Sequence, residues 1–298
     1  MNRWLKTGLV AAAVSTVVGL GVSRYMIYKL TEAERTRITQ TPADFGMRYD
    51  DVVFPSEQDR LALRGWYIRS GKSDRCIVMT HGGKSHRADP TIGMLDIAAQ
   101  LVERGYNVLM FDLRGHGESD DGRMTGGLME RSDLLGAIAF VEARGIDRQN
   151  IGLLGYSLGA ATSLLVAAED ECIRAVVADS SWADLTDMIG SQIERHTRMP
   201  KSLGVLVPIM ARAAYSIDVG RVKPVDAVSR IAPRPILFIH GGADEVVPVE
   251  SSMKLYHANE NPGNELWVVP QAGHVRSYLT QPEEYITRIA DFFNEALN

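Results

Sequence analysis

Cysteine is scarce in this 298-residue chain: Cys76 and Cys172 are the only two, each placed where a strand would start, and they say little about the redox compartment. Metal-ligand spacings are missing too. Neither His-Glu-x-x-His nor paired cysteines occur, so no metal and no cofactor are expected. The net charge of −5 has no basic stripe behind it, and zinc-finger, helix-turn-helix and aromatic RNA-binding signatures are absent, so nucleic acid is not an expected partner. No Pro/Ser/Gly-rich linker divides the chain. With 45% hydrophobic residues it reads as one large domain, 30–298, behind a short N-terminal segment, 1–29.

That segment holds the long uncharged stretch. Thr7 to Ser23 is rich in Val, Ala, Leu and Gly, and with Trp4 and Leu5 it reaches about 20 residues, enough to cross a hydrocarbon core of roughly 30 Å. A single-pass transmembrane helix, and therefore a membrane as partner and location, is the expectation. The alternative is a signal peptide cut after the small residues Gly19 and Gly21, giving a secreted or periplasmic protein, although the apolar Tyr25-Met26-Ile27-Tyr28 follows. Arg3 and Lys6 on one flank nearly balance Arg24, Lys29, Arg35 and Arg37 on the other, which leaves the orientation open.

From Met47 onward, strand and helix patterns alternate. Met47–Phe54 and Leu61–Arg69 predict an antiparallel edge hairpin, and further strands are predicted at Asn107–Phe111, Ile151–Leu154, Ile173–Ala178, Ile236–Ile239 and Leu266–Val269. Met94–Arg104 and Leu134–Arg144 carry apolar residues at helical spacing and end at Gly105 and Gly145, and Glu283–Leu297 closes the chain as an amphipathic helix. This is an α/β pattern: a mainly parallel sheet with helices on both faces, and a ligand site beyond the strands' carboxyl ends.

Chemistry concentrates at those ends. Gly155-Tyr156-Ser157-Leu158-Gly159 fits Gly-x-Ser-x-Gly between an apolar run and an Ala/Leu-rich helix, a sharp turn that exposes Ser157 and puts the Leu158 N–H at the positive end of a helix. Asp244 follows one later strand and His274 the next. A serine hydroxyl becomes a nucleophile when an imidazole takes its proton, and the imidazole needs a carboxylate to fix its tautomer. Ser157, Asp244 and His274 are thus the expected catalytic residues. Asp179, which also ends a strand, is the rival acid.

These motifs resemble the α/β-hydrolase family from about Arg48 to the C-terminus, with the nearest likeness to bacterial serine aminopeptidase (S33) and BEM46-like hydrolases. Two more segments carry the resemblance: Cys76 to Gly83, similar to the family's third strand (Cys76–Thr80) and its oxyanion turn, and Phe111 to Ser119, similar to its loop after the fourth strand; the fold implied is the α/β-hydrolase fold, a mainly parallel eight-stranded sheet with helices on both faces. The resemblance implies that the Gly83 N–H joins that of Leu158 in an oxyanion hole, that His81 and His116 are structural, and that Asp112 organises its loop. It also implies that the Ile151–Leu154 strand separates the two cysteine-bearing strands, which argues against a disulfide, and that the interval 180–232 inserts a small helical cap. His86, His196 and His257 are read as solvated, and Lys84 as solvent-facing unless it meets an anionic substrate.

The expected activity is a serine hydrolase acting on carboxylic esters, acyl or aromatic, through an acyl-enzyme. A small-peptide or amide hydrolase is the runner-up, and a non-catalytic membrane-tethered binding protein on the same fold the third reading.

Overall fold

The computed structural model describes residues 31–297 apart from 34, 72, 198–199, 201–208, 211 and 214–217. The expected transmembrane or signal segment, 1–29, lies outside the described residues.

Eight strands form one sheet: β1 (Tyr49–Pro55), β2 (Ala62–Ile68), β3 (Cys76–Thr80), β4 (Asn107–Phe111), β5 (Ile151–Tyr156), β6 (Ala175–Asp179), β7 (Ile236–Gly241) and β8 (Glu265–Val269). Their order is β1-β2-β4-β3-β5-β6-β7-β8. β1 pairs antiparallel with β2 and β2 with β4, while every later pairing is parallel. The hairpin is therefore at the edge, as its sequence implied. β5 separates β3 from β6, and Cys76 and Cys172 are free thiols.

The parallel strands β3 to β7 are buried along their whole length, which explains their unbroken apolar runs: both faces are covered. Helices α1 (Met94–Glu103) and α8 (Pro282–Ala296) close one face around Met79, Leu154, Ile239 and Phe293. The other face packs α2 (Glu130–Ala143) and α3 (Leu158–Glu169) around Val78, Leu153, Leu164 and Phe238. Successive residues Leu153 and Leu154 thus serve opposite layers, as period-two geometry requires.

α2 begins four residues before the sequence places it. Its first turn is polar: the buried Glu130 carboxylate accepts from the N–H groups of Thr125 (2.6 Å) and Gly127 (2.8 Å) and from the Thr125 hydroxyl (2.6 Å). A carboxylate satisfying the donors ahead of a helix is a start signal that apolar periodicity does not register.

In the interval 180–232 the description includes α4 (Leu185–Thr197) and α5 (Pro224–Ala227). α4 leans on the loop after β7: the Gln192 side-chain amide donates to Glu245 O (3.2 Å) and Val246 O (2.6 Å), and Arg195 pairs with Glu245 (2.8 Å). α6 (Glu250–Ala258) and α7 (Ser277–Thr280) complete the helices used below.

Candidate active site

Strand register brings the expected residues together. Tyr156 pairs with Asp179 and Asp179 with Ile239, so β5, β6 and β7 reach the same edge of the sheet level with one another. One register step further, Gly241 pairs with Val269, which starts the loops bearing Asp244 and His274 side by side.

Ser157 sits at the apex between β5 and α3 with φ +51° and ψ −109°, a strained conformation for a residue with a side chain. Its N–H donates to Asp179 O (2.8 Å) and its carbonyl accepts from Ala161 N (3.0 Å), so both neighbouring elements hold the strain in place. The flanking glycines are steric necessities. A Cβ on Gly155 would lie 2.4 Å from Gly159 O, and one on Gly159 only 2.0 Å from Thr80 O.

The Ser157 hydroxyl lies 2.9 Å from His274 Nε2, and His274 Nδ1 lies 2.7 Å from Asp244 Oδ2. Asp244 is held from its other side, since Oδ1 accepts from the N–H groups of Val246 (2.8 Å) and Val247 (2.9 Å). Burial alone would raise the Asp244 pKa, but hydrogen bonds from His240 and His274 outweigh it and keep the carboxyl well below the ordinary range. An ionised Asp244 only accepts, so the His274 proton is on Nδ1 and the Nε2 lone pair faces Ser157. The three residues form one directional chain.

Asp179 does not join it. Its Oδ1 accepts from the Ser180 hydroxyl (2.9 Å) and its Oδ2 from Tyr285 (3.1 Å), and burial pushes its pKa up to about 6. Its network still reaches the histidine loop, because Ser180 Oγ accepts from Val275 N (3.2 Å). Like Ser157, Ser180 and Val275 have positive φ, +58° and +51°. Backbone strain thus gathers at three adjoining turns.

Gly83 and Leu158 adjoin each other: a Cβ on Gly83 would lie 3.9 Å from Leu158 Cδ2 and 2.8 Å from the Met124 sulfur. Among the described residues, no backbone carbonyl accepts from either N–H. The turn before them is built by neutral histidines. His81 Nε2 accepts from Leu113 N (3.0 Å) and His116 Nε2 from Lys84 N (3.2 Å), and burial lowers the pKa of both rings. Asp112 organises the next loop, accepting from Arg87 N (2.8 Å) and Glu118 N (2.9 Å) and pairing with the buried Arg87 guanidinium.

Two histidines differ from their sequence reading or escape it. His86 is buried rather than solvated, with Nδ1 accepting from Ala88 N (3.1 Å). His257 is exposed as expected, and the His196 side chain lies outside the described residues. His240, which the motifs do not single out, is buried beside the acid: Nε2 lies 2.9 Å from Val247 O and 3.3 Å from Asp244 Oδ2. Its spacing of four residues from Asp244 across the Gly-Gly turn is the signal that could have found it. Lys84 is exposed with φ +57°. Among the described residues, no group of three or more His, Cys, Asp or Glu side chains could hold a metal ion.

Comparison with known proteins bears on family and fold. The profile of the prolyl oligopeptidase family matches residues 94–298. Escherichia coli (strain K12) YfhR, an uncharacterized protein, is 31% identical over 84% of this chain and 82% of its own length. Bacillus subtilis (strain 168) YqkD, likewise uncharacterized, is 24% identical over 96% of this chain and 95% of its own. Among solved structures, Pyrococcus furiosus esterase Pf2001 superposes with a TM-score of 0.73 at 29% identity, covering 90% of this chain and all of the esterase (100%).

Proposed function

The chain belongs to the prolyl oligopeptidase family of α/β-hydrolases and is a serine hydrolase, and from that premise we propose that it cleaves carboxylic esters through an acyl-enzyme. The observation that carries the reading is the hydrogen-bonded chain Ser157–His274–Asp244 at the edge of the sheet, next to the N–H groups of Gly83 and Leu158. In the first step Ser157 Oγ attacks the ester carbonyl while its proton moves to His274 Nε2. The imidazolium is held by Asp244, and the Gly83 and Leu158 N–H groups take the developing oxyanion. Collapse expels the alcohol, which receives the proton from His274. Water then attacks the acyl-Ser157 ester by the same route and releases the acid.

The likeness to esterase Pf2001 favours esters. The family match favours a second reading, small peptides or amides, for which the same groups protonate an amine leaving group. Purified protein assayed against acyl esters of graded chain length and against aminoacyl amides decides between them. Ser157→Ala tests the nucleophile: turnover should fall by about a million-fold and fluorophosphonate labelling disappear. Persistent labelling of the folded variant would move the nucleophile elsewhere.

The proposal includes residues 1–29 as a membrane anchor and 180–232 as a small cap over the site, the latter supported by the contact of α4 with the Asp244 loop. The full chain should fractionate with membranes and resist carbonate extraction. Recovery of intact chain in the soluble fraction without detergent refutes the anchor, and a mature chain starting near Val22 favours signal cleavage.

A further inference from the structure

The segment that follows the apolar stretch is not a free linker. Thr31 is buried, its carbonyl accepts from Met124 N (2.9 Å) and its hydroxyl from the Arg123 guanidinium (3.2 Å). Ala33 packs into the space beside Gly115, where a Cβ on the glycine would lie 2.7 Å from its own. Arg35 then donates to Gly117 O (2.8 Å), Ser119 O (2.7 Å) and Asp121 Oδ1 (2.6 Å). Thr31, Ala33 and Arg35 strap the chain along the loop that runs from Leu113 to Met124.

That loop borders the reaction site. Its last residue, Met124, puts its sulfur against Gly83, whose N–H is one of the two aimed at the oxyanion, and Leu158 is the next side chain beyond. The point where the chain leaves for the anchor and the point where substrate reacts are therefore one layer of side chains apart. Val246, two residues past the acid, is 42% exposed.

Seven residues lie between Ser23 and Thr31, a span of eight residue steps. They reach about 12 Å as a helix and at most about 27 Å extended. A domain of this size is roughly 45–50 Å across. The leash is shorter than the domain is wide and is fixed at the rim of the site, so the rim stays near the bilayer. Arg24, Lys29, Arg35 and Arg37 outnumber Glu32 and Glu34 along residues 24–37, a net charge of +2 on that side, which favours the headgroup region of an anionic surface.

Resting on the reading of residues 1–29 as an anchor and of Ser157 as nucleophile, we propose that the strap formed by Thr31, Ala33 and Arg35 holds the mouth of the active site against the bilayer, and that its substrates are acyl esters carried in the membrane. The geometry selects amphiphilic esters by delivery: the reactive carbonyl is near the headgroup layer and the acyl chain leaves the bilayer over a short path.

The test uses the full chain reconstituted in phosphatidylcholine vesicles and two esters of one fluorophore, a dodecanoate dissolved in the bilayer and an acetate in water. A flexible Gly/Ser insertion of about 20 residues between Lys29 and Leu30 lengthens the leash without touching the strap. Because effective concentration falls roughly as the −3/2 power of tether length, kcat/KM for the dodecanoate should drop about five- to ten-fold, while that for the acetate stays within about two-fold. Equal rates for both esters with and without the insertion, or an equal fall for both, overturns the proposal. Protein that does not float with the vesicles refutes the anchor and the inference with it. Floating protein that hydrolyses neither ester and takes no fluorophosphonate label refutes the hydrolase assignment instead.

Discussion

Asp244→Asn is the most informative single substitution. In the native site Asp244 Oδ1 takes two backbone N–H groups and Oδ2 takes His274 Nδ1. An asparagine amide can keep its oxygen on Val246 and Val247, so the loop has no reason to move. Its NH2 group then occupies the Oδ2 position and presents hydrogens to both His274 and His240. His274 can meet a donor at Nδ1 only by accepting there, which shifts its own proton to Nε2 and aims it at Ser157 Oγ. The base is lost while the geometry survives. The expected effect is about a ten-thousand-fold fall in turnover, equivalent to about 5.5 kcal/mol of transition-state stabilisation. Asp179→Asn leaves the His274–Asp244 pair intact and should lower turnover far less. Burst and steady-state hydrolysis of a small soluble ester measures both, with circular dichroism showing that each variant is folded. A folded Asp244→Asn protein within ten-fold of wild type, or the reverse ranking of the two variants, refutes the assignment of the acid.

Asp179 has a second consequence, for stability. Its folded pKa of about 6 is above the unfolded value near 3.8, so its stabilising contribution is fully present below about pH 4 and is lost as pH rises through 6, an effect on the order of 3 kcal/mol. Asp179→Asn should remove that component: relative to wild type the variant gains stability between pH 4 and pH 7, as read by denaturant unfolding, and parallel pH profiles would contradict it. Gly159→Ala drives a Cβ into the Thr80 carbonyl, backbone against backbone, and should destabilise the fold by about 3 kcal/mol or more, whereas a variant with an unchanged midpoint would show that the elbow can relax. Arg114→Ala strips the cation from the buried Asp133 and from Asp59 and should cost about 3–5 kcal/mol; a loss below 1 kcal/mol would mean the pair is solvated.

Much of this architecture was legible in the chain because single-residue chemistry and local periodicity agree there. The run Ile151–Leu154, the small-residue elbow and the Ala/Leu helix each demand their neighbour, so β5, Ser157 and α3 follow from a dozen letters. Choosing Asp244 over Asp179 is harder, since both end strands. What separates them is that Asp179 lies in β6 itself and points to Tyr285, whereas Asp244 is three residues past β7 on a loop free to reach His274. His240 escaped because its role depends on a turn folding Asp244 back over it, and His86 because its burial is set by a loop rather than by a pattern. The Glu130 start of α2 was hidden for the same reason: a carboxylate capping distant amides has no hydrophobic period.

The bond from His274 to Ser157 joins residues 117 positions apart, and α8, which shares one face of the sheet with α1, follows the base in the chain. Activity is consequently a late event in the life of the polypeptide. During synthesis, β5 and its elbow are complete long before the loop bearing the base leaves the ribosome, and such non-local closure is slow compared with helix formation. An emerging chain stays inert until that loop has been made and has closed on Ser157, so the first turnover reports this closure.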